Sequence, residues 1–459
     1  MRLRNYFCLA ALMACVSVLG TNASAGGAKR PQGLQSLQHL IFIVQENRSF
    51  DHYFATFPGA DGLPSPLPCL PSHWYPSQCF KPYHTDAANQ LGGPYSSAPQ
   101  LADIDNGLMD GFLYQRERQL TGKCGHGARQ DARATFIEND DEVGPQVARC
   151  GIDVLSYYDG TDLPNYWSYA ANYVLLDHFF EAAHTDSHPA HMMLFSGWAA
   201  KCLQMNPPDV NSCETDTIPG HIWGPEYPTP YLWTDITYML WQNNVSWLAY
   251  LDGPIGKAGP DTKVIWDILP GFETVQQDGQ VQNAGPNISQ FYSDAAAGTL
   301  PAVSWILPDY IDSEHPQASV AVGQSYVTGL VNAVMNGPDW ANSAIFITWD
   351  DMGGFYDHEP PPFNFDALGL GIREPSIMIS PYAISGLIDH QVCSTDCYLK
   401  LIEDTFLNGE RMSQSGRADP RPDYRDAQPS YGDLANDFNF GQKPLRPLVL
   451  STHPMTMLR

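Results

Sequence analysis

Three uninterrupted apolar runs, each closing on polar residues, constrain this chain more than any other feature. They are Leu40-Ile41-Phe42-Ile43-Val44 before Gln45-Glu46-Asn47, Ala344-Ile345-Phe346-Ile347-Thr348-Trp349 before Asp350-Asp351, and Ser376-Ile377-Met378-Ile379 before Ser380-Pro381. Short runs without polar alternation suit strands covered on both faces, the usual state of strands in a parallel sheet. Val303-Ser304-Trp305-Ile306-Leu307 and Trp247-Leu248-Ala249-Tyr250-Leu251 are further strand candidates, and helical patterns run from Gln324 to Asn336 and from Cys397 to Leu407. Strands alternating with helices predict an α/β fold around a central, mostly parallel sheet flanked by helices.

The rest of the chain fits a large folded enzyme-like domain. Its 459 residues are 43% hydrophobic and only 16% charged, which excludes a coiled coil and a disordered chain. A net charge of −26 argues against nucleic acid as a partner, because phosphate backbones need a basic face. Residues 1–25 read as a secretory signal: Arg2 and Arg4, an apolar stretch from Phe7 to Leu19, then Ala23-Ser24-Ala25. This predicts a secreted or periplasmic protein whose single catalytic domain is 26–459; a loose lipoprotein-like box ending at Cys15 is the lesser alternative. No later segment is long and apolar enough for a transmembrane helix. Eight cysteines follow the leader, an even set that favours disulfides in an exported chain. Local pairs Cys69–Cys79, Cys202–Cys213 and Cys393–Cys397 are expected, each closing a short loop; 58–99 and 201–230 read as turn-rich excursions, and the last twenty residues or so as a loosely packed tail.

Ligands of open α/β sheets bind beyond the carboxyl ends of the strands. Glu46-Asn47 and Asp350-Asp351 sit at two such ends. If those strands are neighbours, three carboxylates and an amide oxygen converge and would repel unless a cation neutralised them. An all-oxygen set suits Ca²⁺, Mg²⁺ or Mn²⁺; an edge carboxylate beside a capping Asp pair is the plainer alternative. A second cluster is His184-Thr185-Asp186-Ser187-His188-Pro189-Ala190-His191. Ser187 can cap a helix there, with Pro189 in its first turn. The free N–H groups of a helix start also bind phosphate, so the same serine is placed to attack phosphorus.

Glu46-Asn47-Arg48-Ser49-Phe50-Asp51 resembles the E-N-R-S-F-D signature of the bacterial phosphoesterase family, which holds phosphatidylcholine-hydrolysing and plant non-specific phospholipases C and related acid phosphatases. Asn106-Gly107-Leu108-Met109-Asp110-Gly111-Phe112, Trp349-Asp350-Asp351-Met352-Gly353-Gly354-Phe355-Tyr356-Asp357-His358, Gly371-Ile372-Arg373-Glu374-Pro375, Ile379-Ser380-Pro381-Tyr382 and Asp433-Leu434-Ala435-Asn436-Asp437-Phe438 resemble further family segments in the family's order. The resemblance spans about residues 38–440. It implies an alkaline-phosphatase-like fold and a phosphoserine intermediate. Glu46, Asn47, Asp350 and Asp351 would hold one divalent metal ion, and Ser187, in a segment similar to S/T-x-P-N-R/H, would be the nucleophile. His315 and His358 would bind the phosphate or protonate the leaving oxygen, with His84 and His191 as further substrate-binding candidates. Ala190 departs from the family's Asn, Asp351 from its usual Glu, and the histidine often found before N-G-x-M-D-G-F is absent.

The resemblance therefore implies a secreted, metal-dependent phospholipase C that cleaves phospholipid or phosphocholine esters. An acid phosphatase using the same site on monoesters is the alternative. A non-catalytic phospho-ligand-binding protein would be expected to have lost some of Glu46, Asn47, Ser187, Asp350 and Asp351, and all five are present. A sulfatase is disfavoured because its maturation motif needs Arg where His191 stands.

Overall fold

The architecture comes from a computed structural model that describes residues 33–120, 151–199, 201–202, 213–214, 231, 233–253, 267–362, 368–417, 419, 421 and 424–459. Its centre is an eight-stranded sheet. In chain order the strands are β1 (His39–Gln45), β2 (Val174–Leu176), β3 (Trp247–Leu251), β4 (Ala284–Asn287), β5 (Val303–Leu307), β6 (Ser343–Trp349), β7 (Ser376–Ile379) and β8 (Leu387–Asp389). Their spatial order is β4-β3-β5-β1-β6-β7-β2-β8. Every neighbouring pair is parallel except β6–β7 and β7–β2, so β7 alone runs against the rest. All five strands expected from the sequence are present.

The continuous apolar runs become the middle of the sheet because both faces are covered. Phe42 of β1 stacks on Phe346 of β6 with ring centroids 5.3 Å apart, and Trp305 of β5 lies 6.2 Å away on the other side. All three rings are fully buried, each worth roughly 1.5–3 kcal/mol or more against exposure. The covering helices include α1 (Phe50–Phe54), α2 (Pro164–Asn172), α3 (Ser187–Ser196), α4 (Val320–Asn336) and α5 (Thr395–Phe406). The last two are the helices expected near 324–336 and 397–407. Helix α3 packs on α5, and α2 on α4.

The register of β1 on β6 sets where the acidic residues emerge. Gln45 lies opposite Trp349, so Glu46-Asn47 and Asp350-Asp351 leave the sheet side by side at the same edge. A second apolar cluster, including Leu70, Phe112, Leu113 and Val154, packs on Met352 and Tyr356 and supports the loop after β6.

The excursion from residue 58 is stapled by Cys69–Cys79, and Cys393–Cys397 closes the start of α5. Cys202 lies across from Cys213 in a two-stranded pairing. The leader with Cys15, Cys124, Cys150 and most of 201–230 lie outside the described residues. No described helix is long and apolar enough to cross a membrane.

The expected loose tail is corrected. The Leu450 N–H donates to Asn332 Oδ1 of α4, and the Leu450, Ser451 and Thr452 carbonyls accept from Asn332, Asn165 and Ser325. The Met457 N–H donates to the Thr161 carbonyl, and the Arg459 backbone pairs with Asp86 and Ala88. The polar side chains along α4 and α2 give an extended tail the hydrogen bonds it lacks internally.

Candidate active site

Glu46 and Asn47 follow β1, Asp350 and Asp351 follow β6, and Ser187 begins α3. The Asn47 N–H donates to Asp350 Oδ1 at 2.9 Å. Asn47 Nδ2 donates to Asp351 Oδ1 at 2.6 Å and to Ser187 Oγ at 3.2 Å. The Ser187 hydroxyl donates to Asp351 Oδ2 at 2.7 Å. Four of the expected site residues, Asn47, Ser187, Asp350 and Asp351, are thus joined through hydrogen bonds, and Glu46 is reached through His191. Asn47 achieves this at φ 59°, a left-handed conformation that Asn tolerates better than most residues.

Ser187 does not cap its helix. Asp186 occupies the cap position with extended backbone, and Ser187 is the first helical residue. Its hydroxyl therefore points to the carboxylate instead of to its own backbone, while the free N–H groups of the first turn remain close to it.

His191 lies one turn further along α3, fully buried. Its Nε2 is 3.2 Å from Glu46 Oε1 and 3.7 Å from Asp350 Oδ2. Burial pushes its pKa down to about 4, with the Asp350 charge only partly opposing, so the ring is neutral at ordinary pH. Glu46, His191 and Asp350 offer ligand atoms within 4.8 Å of one another. The structure thus puts His191 among the carboxylates, where the sequence expectation had it facing substrate.

Sequence reasoning missed two buried acids beside these groups. Glu374 and Glu181 are fully buried. Burial, and then Asp350 and Asp351, push the Glu374 carboxyl well up; burial, and then Asp351 and Glu374, do the same to Glu181. Asp350 and Asp351 are raised in the same way, first by burial and then by Glu46 and by Asp350 respectively. Among the described residues, neither Glu374 oxygen nor Asn47 Oδ1 has a hydrogen-bond partner, and no Lys or Arg pairs with Asp350, Asp351, Glu181 or Glu374. Buried carboxylates gathered without a Lys or Arg counter-charge could hold a divalent cation. Glu374 was visible in sequence only as the acidic residue of Gly371-Ile372-Arg373-Glu374-Pro375.

The remaining histidines have other surroundings. His315 rests against Tyr310, and its Nδ1 is 3.1 Å from the Pro316 carbonyl, which fixes the proton on that nitrogen. Burial lowers its pKa to about 4. Its segment is tied to the site by the Glu46 N–H, which donates to the Ser313 carbonyl at 2.8 Å. His358 has its Nδ1 2.8 Å from Asp51 Oδ2 and its Nε2 3.5 Å from Asp61 Oδ1. Burial acts to lower its pKa, but the Asp51 hydrogen bond and the Asp51 and Asp357 charges raise it to about 9. Arg373, also missed, donates Nε to Asp357 Oδ1 at 2.9 Å and reaches Asp51 at 3.4 Å. Described contacts of His315 and His358 do not include Ser187. His84 pairs with Asp162 at 2.7 Å and Asp159 at 3.6 Å and has no described contact with the carboxylate nest.

Residues 37–407 match the phosphoesterase family. The chain belongs to that family. As a member it is a hydrolase acting on phosphoric ester bonds, of the phospholipase C type. It is 27% identical to phospholipase C A of Mycobacterium tuberculosis over 94% of this chain and 82% of that protein. It is 25% identical to a non-hemolytic phospholipase C of Burkholderia pseudomallei, over 90% of this chain and 60% of the relative, and 22% identical to non-specific phospholipase C1 of Arabidopsis thaliana, over 79% and 64%. Among solved structures, Ps i-CgsB in complex with k-i-k-neocarrahexaose matches over 56% of this chain and 70% of its own at 11% identity, with a TM-score of 0.32.

Proposed function

We propose that this phosphoesterase is a secreted, metal-dependent phospholipase C that cleaves phospholipid or phosphocholine esters through a phosphoserine at Ser187. One observation carries the reading: a serine hydroxyl at a helix start, hydrogen-bonded to Asp351 and Asn47, inside a buried nest of carboxylates. The names of the relatives supply the substrate class. The leader at 1–25 and two closed disulfides support export to an oxidising compartment.

Glu46, Asn47, His191, Asp350 and Asp351 would hold a divalent ion, which when bound supplies positive charge to the phosphoryl oxygens and to the nucleophile. The mixed nitrogen and oxygen set widens the choice beyond Ca²⁺, Mg²⁺ and Mn²⁺. Asn47 Nδ2 orients the Ser187 oxygen, and Asp351 Oδ2 already accepts the proton that Ser187 must lose on attack. The N–H groups of the first turn of α3 face the phosphoryl group once it is on Ser187. His315, neutral with an unprotonated Nε2, would take up a proton from water and pass it to the leaving alcohol. His358, committed to Asp51, supports the loop after β6.

The test is turnover of p-nitrophenylphosphorylcholine beside p-nitrophenyl phosphate, with and without chelator, for wild type and Ser187→Ala. The choline ester is expected to be preferred, chelator to abolish turnover, and Ser187→Ala to lose at least about 10³-fold in kcat. Preference for the monoester makes the enzyme an acid phosphatase. Wild-type turnover by Ser187→Ala removes the serine from the reaction.

A further inference from the structure

A second cluster lies outside the carboxylate nest, where three segments meet: the turn after α1, the residues leaving β2, and the loop after β6. Asp61 is its centre. Its Oδ2 is 3.1 Å from His178 Nε2, and its Oδ1 is 3.5 Å from His358 Nε2. Glu359 adds a second carboxylate, with ligand atoms of Asp61, His178 and Glu359 all within 4.8 Å of one another.

Each imidazole is anchored from behind. His178 Nδ1 donates to the His390 carbonyl at 2.9 Å. His358 Nδ1 donates to Asp51 Oδ2 at 2.8 Å. In both rings Nδ1 is thereby committed as a donor, and Nε2 is turned toward Asp61. A carbonyl or carboxylate behind Nδ1, with Nε2 facing forward, is the outer-shell arrangement typical of metal-bound histidines. Without an ion, a proton on each Nε2 faces Asp61; a divalent ion would displace those protons and join the ring nitrogens to the two carboxylates.

Asp61 is held on a rigid stem. Its N–H donates to Asp177 Oδ2 at 2.7 Å, and its carbonyl accepts from Arg373 Nη1 at 2.9 Å. The next residue must be glycine, since a Cβ on Gly62 would lie 2.1 Å from the Ala55 carbonyl oxygen. The Asp61 side chain is 42% exposed while that of His358 is 13% exposed, so an ion has a way in from solvent and a drier inner wall.

We propose that Asp61, His178, His358 and Glu359 form a second cation site, for a divalent transition ion of the Zn²⁺ class. Two imidazole nitrogens and two carboxylates are a donor set that Zn²⁺ favours over Ca²⁺ or Mg²⁺. The ion would clip the three segments together, including the loop that starts at Asp350, and is independent of the reaction at Ser187.

The experiment is equilibrium dialysis of chelator-stripped protein against Zn²⁺ with elemental analysis, for wild type, His178→Gln, Asp61→Asn and Glu359→Gln, each checked for native circular dichroism. The carboxylate nest is intact in all four, so any ion bound there is common to them. Wild type is expected to bind one equivalent more than each variant at low micromolar free Zn²⁺, and Co²⁺ in its place to show a visible absorption band that His178→Gln loses. Glu359→Gln, a near-isosteric change at a half-buried position, is expected to weaken that equivalent at least tenfold even if the other two variants fail to fold. Equal stoichiometry and equal Co²⁺ spectra in wild type and the folded variants overturn the site.

Discussion

His191 and Glu314 show how burial outweighs neighbouring groups in this protein. His191 is kept neutral by its dry surroundings, so it would offer a lone pair to the cation proposed at Glu46 and Asp350 without first losing a proton. On the proposed metal-dependent reading, replacing it with Ala is expected to lower metal affinity about 10–100-fold, with kcat recovering at high metal. Titrating activity against free Mn²⁺ or Ca²⁺ checks this, and unchanged metal dependence would take His191 out of the ligand set. Glu314 is a buried acid that accepts from Tyr53 Oη and Tyr166 Oη at 2.6 Å and from Trp349 Nε1 at 3.1 Å. Burial outweighs these donors and raises its pKa to about 7. An acid raised in the folded state favours folding only while protonated, so the Glu314 contribution to stability is fullest below about pH 4.5 and is lost as pH rises toward 7. The span corresponds to about 3 kcal/mol. Glu314→Gln is expected to match wild type in urea midpoint near pH 4.5 and to exceed it at pH 8; parallel pH curves would mean that Glu314 does not titrate in that range.

Among the elements, the loop after β6 depends on a backbone that most side chains forbid. Gly353 has φ +60°, and a Cβ there would lie 2.4 Å from the Asn47 carbonyl oxygen. Its N–H donates to Asp351 Oδ1 at 2.8 Å, so any shift reaches the carboxylate that holds Ser187. Gly353→Ala is expected to cost about 1–3 kcal/mol of stability and at least tenfold in turnover, measured by thermal melts beside steady-state kinetics; a variant with wild-type turnover would show that this turn is not coupled to the site. The same loop shows what a sequence can and cannot reveal. The runs before Glu46 and Asp350 were legible because fully covered strands are continuously apolar, and polar residues at their ends mark where ligands bind. Strands β2, β4 and β8 were not legible: Val174–Leu176 and Leu387–Asp389 are three residues each, and Ala284–Asn287 contains Gly and Pro. Glu181 and Glu374 approach the site through loops whose meeting depends on the order β6-β7-β2, which no local pattern encodes. Asp186 displaced Ser187 from the cap because either residue can cap, and only the tertiary pull of Asp351 and Asn47 decides between them.

At the scale of the whole molecule, the formal charge of −26 bears on the proposed phospholipid substrate. A phospholipid lies in a surface, and an anionic surface carries a negative potential that would repel such a protein before any head group reached the proposed site at Ser187. A zwitterionic surface imposes no such barrier. Turnover of phosphatidylcholine in neutral vesicles is therefore expected to exceed turnover of the same lipid diluted into phosphatidylglycerol vesicles, by roughly tenfold at low salt. The repulsion acts between exposed charges and is screened within about 10 Å at 0.1 M salt and about 3 Å at 1 M, so the ratio is expected to fall toward unity as salt rises. A soluble p-nitrophenyl ester should show a much weaker salt dependence in parallel, since it has no charged surface to approach. If the preference for neutral vesicles persisted at high salt, discrimination would lie in contacts at the site and not in the field of the molecule, and the acidic surface would have to be explained by something other than substrate choice.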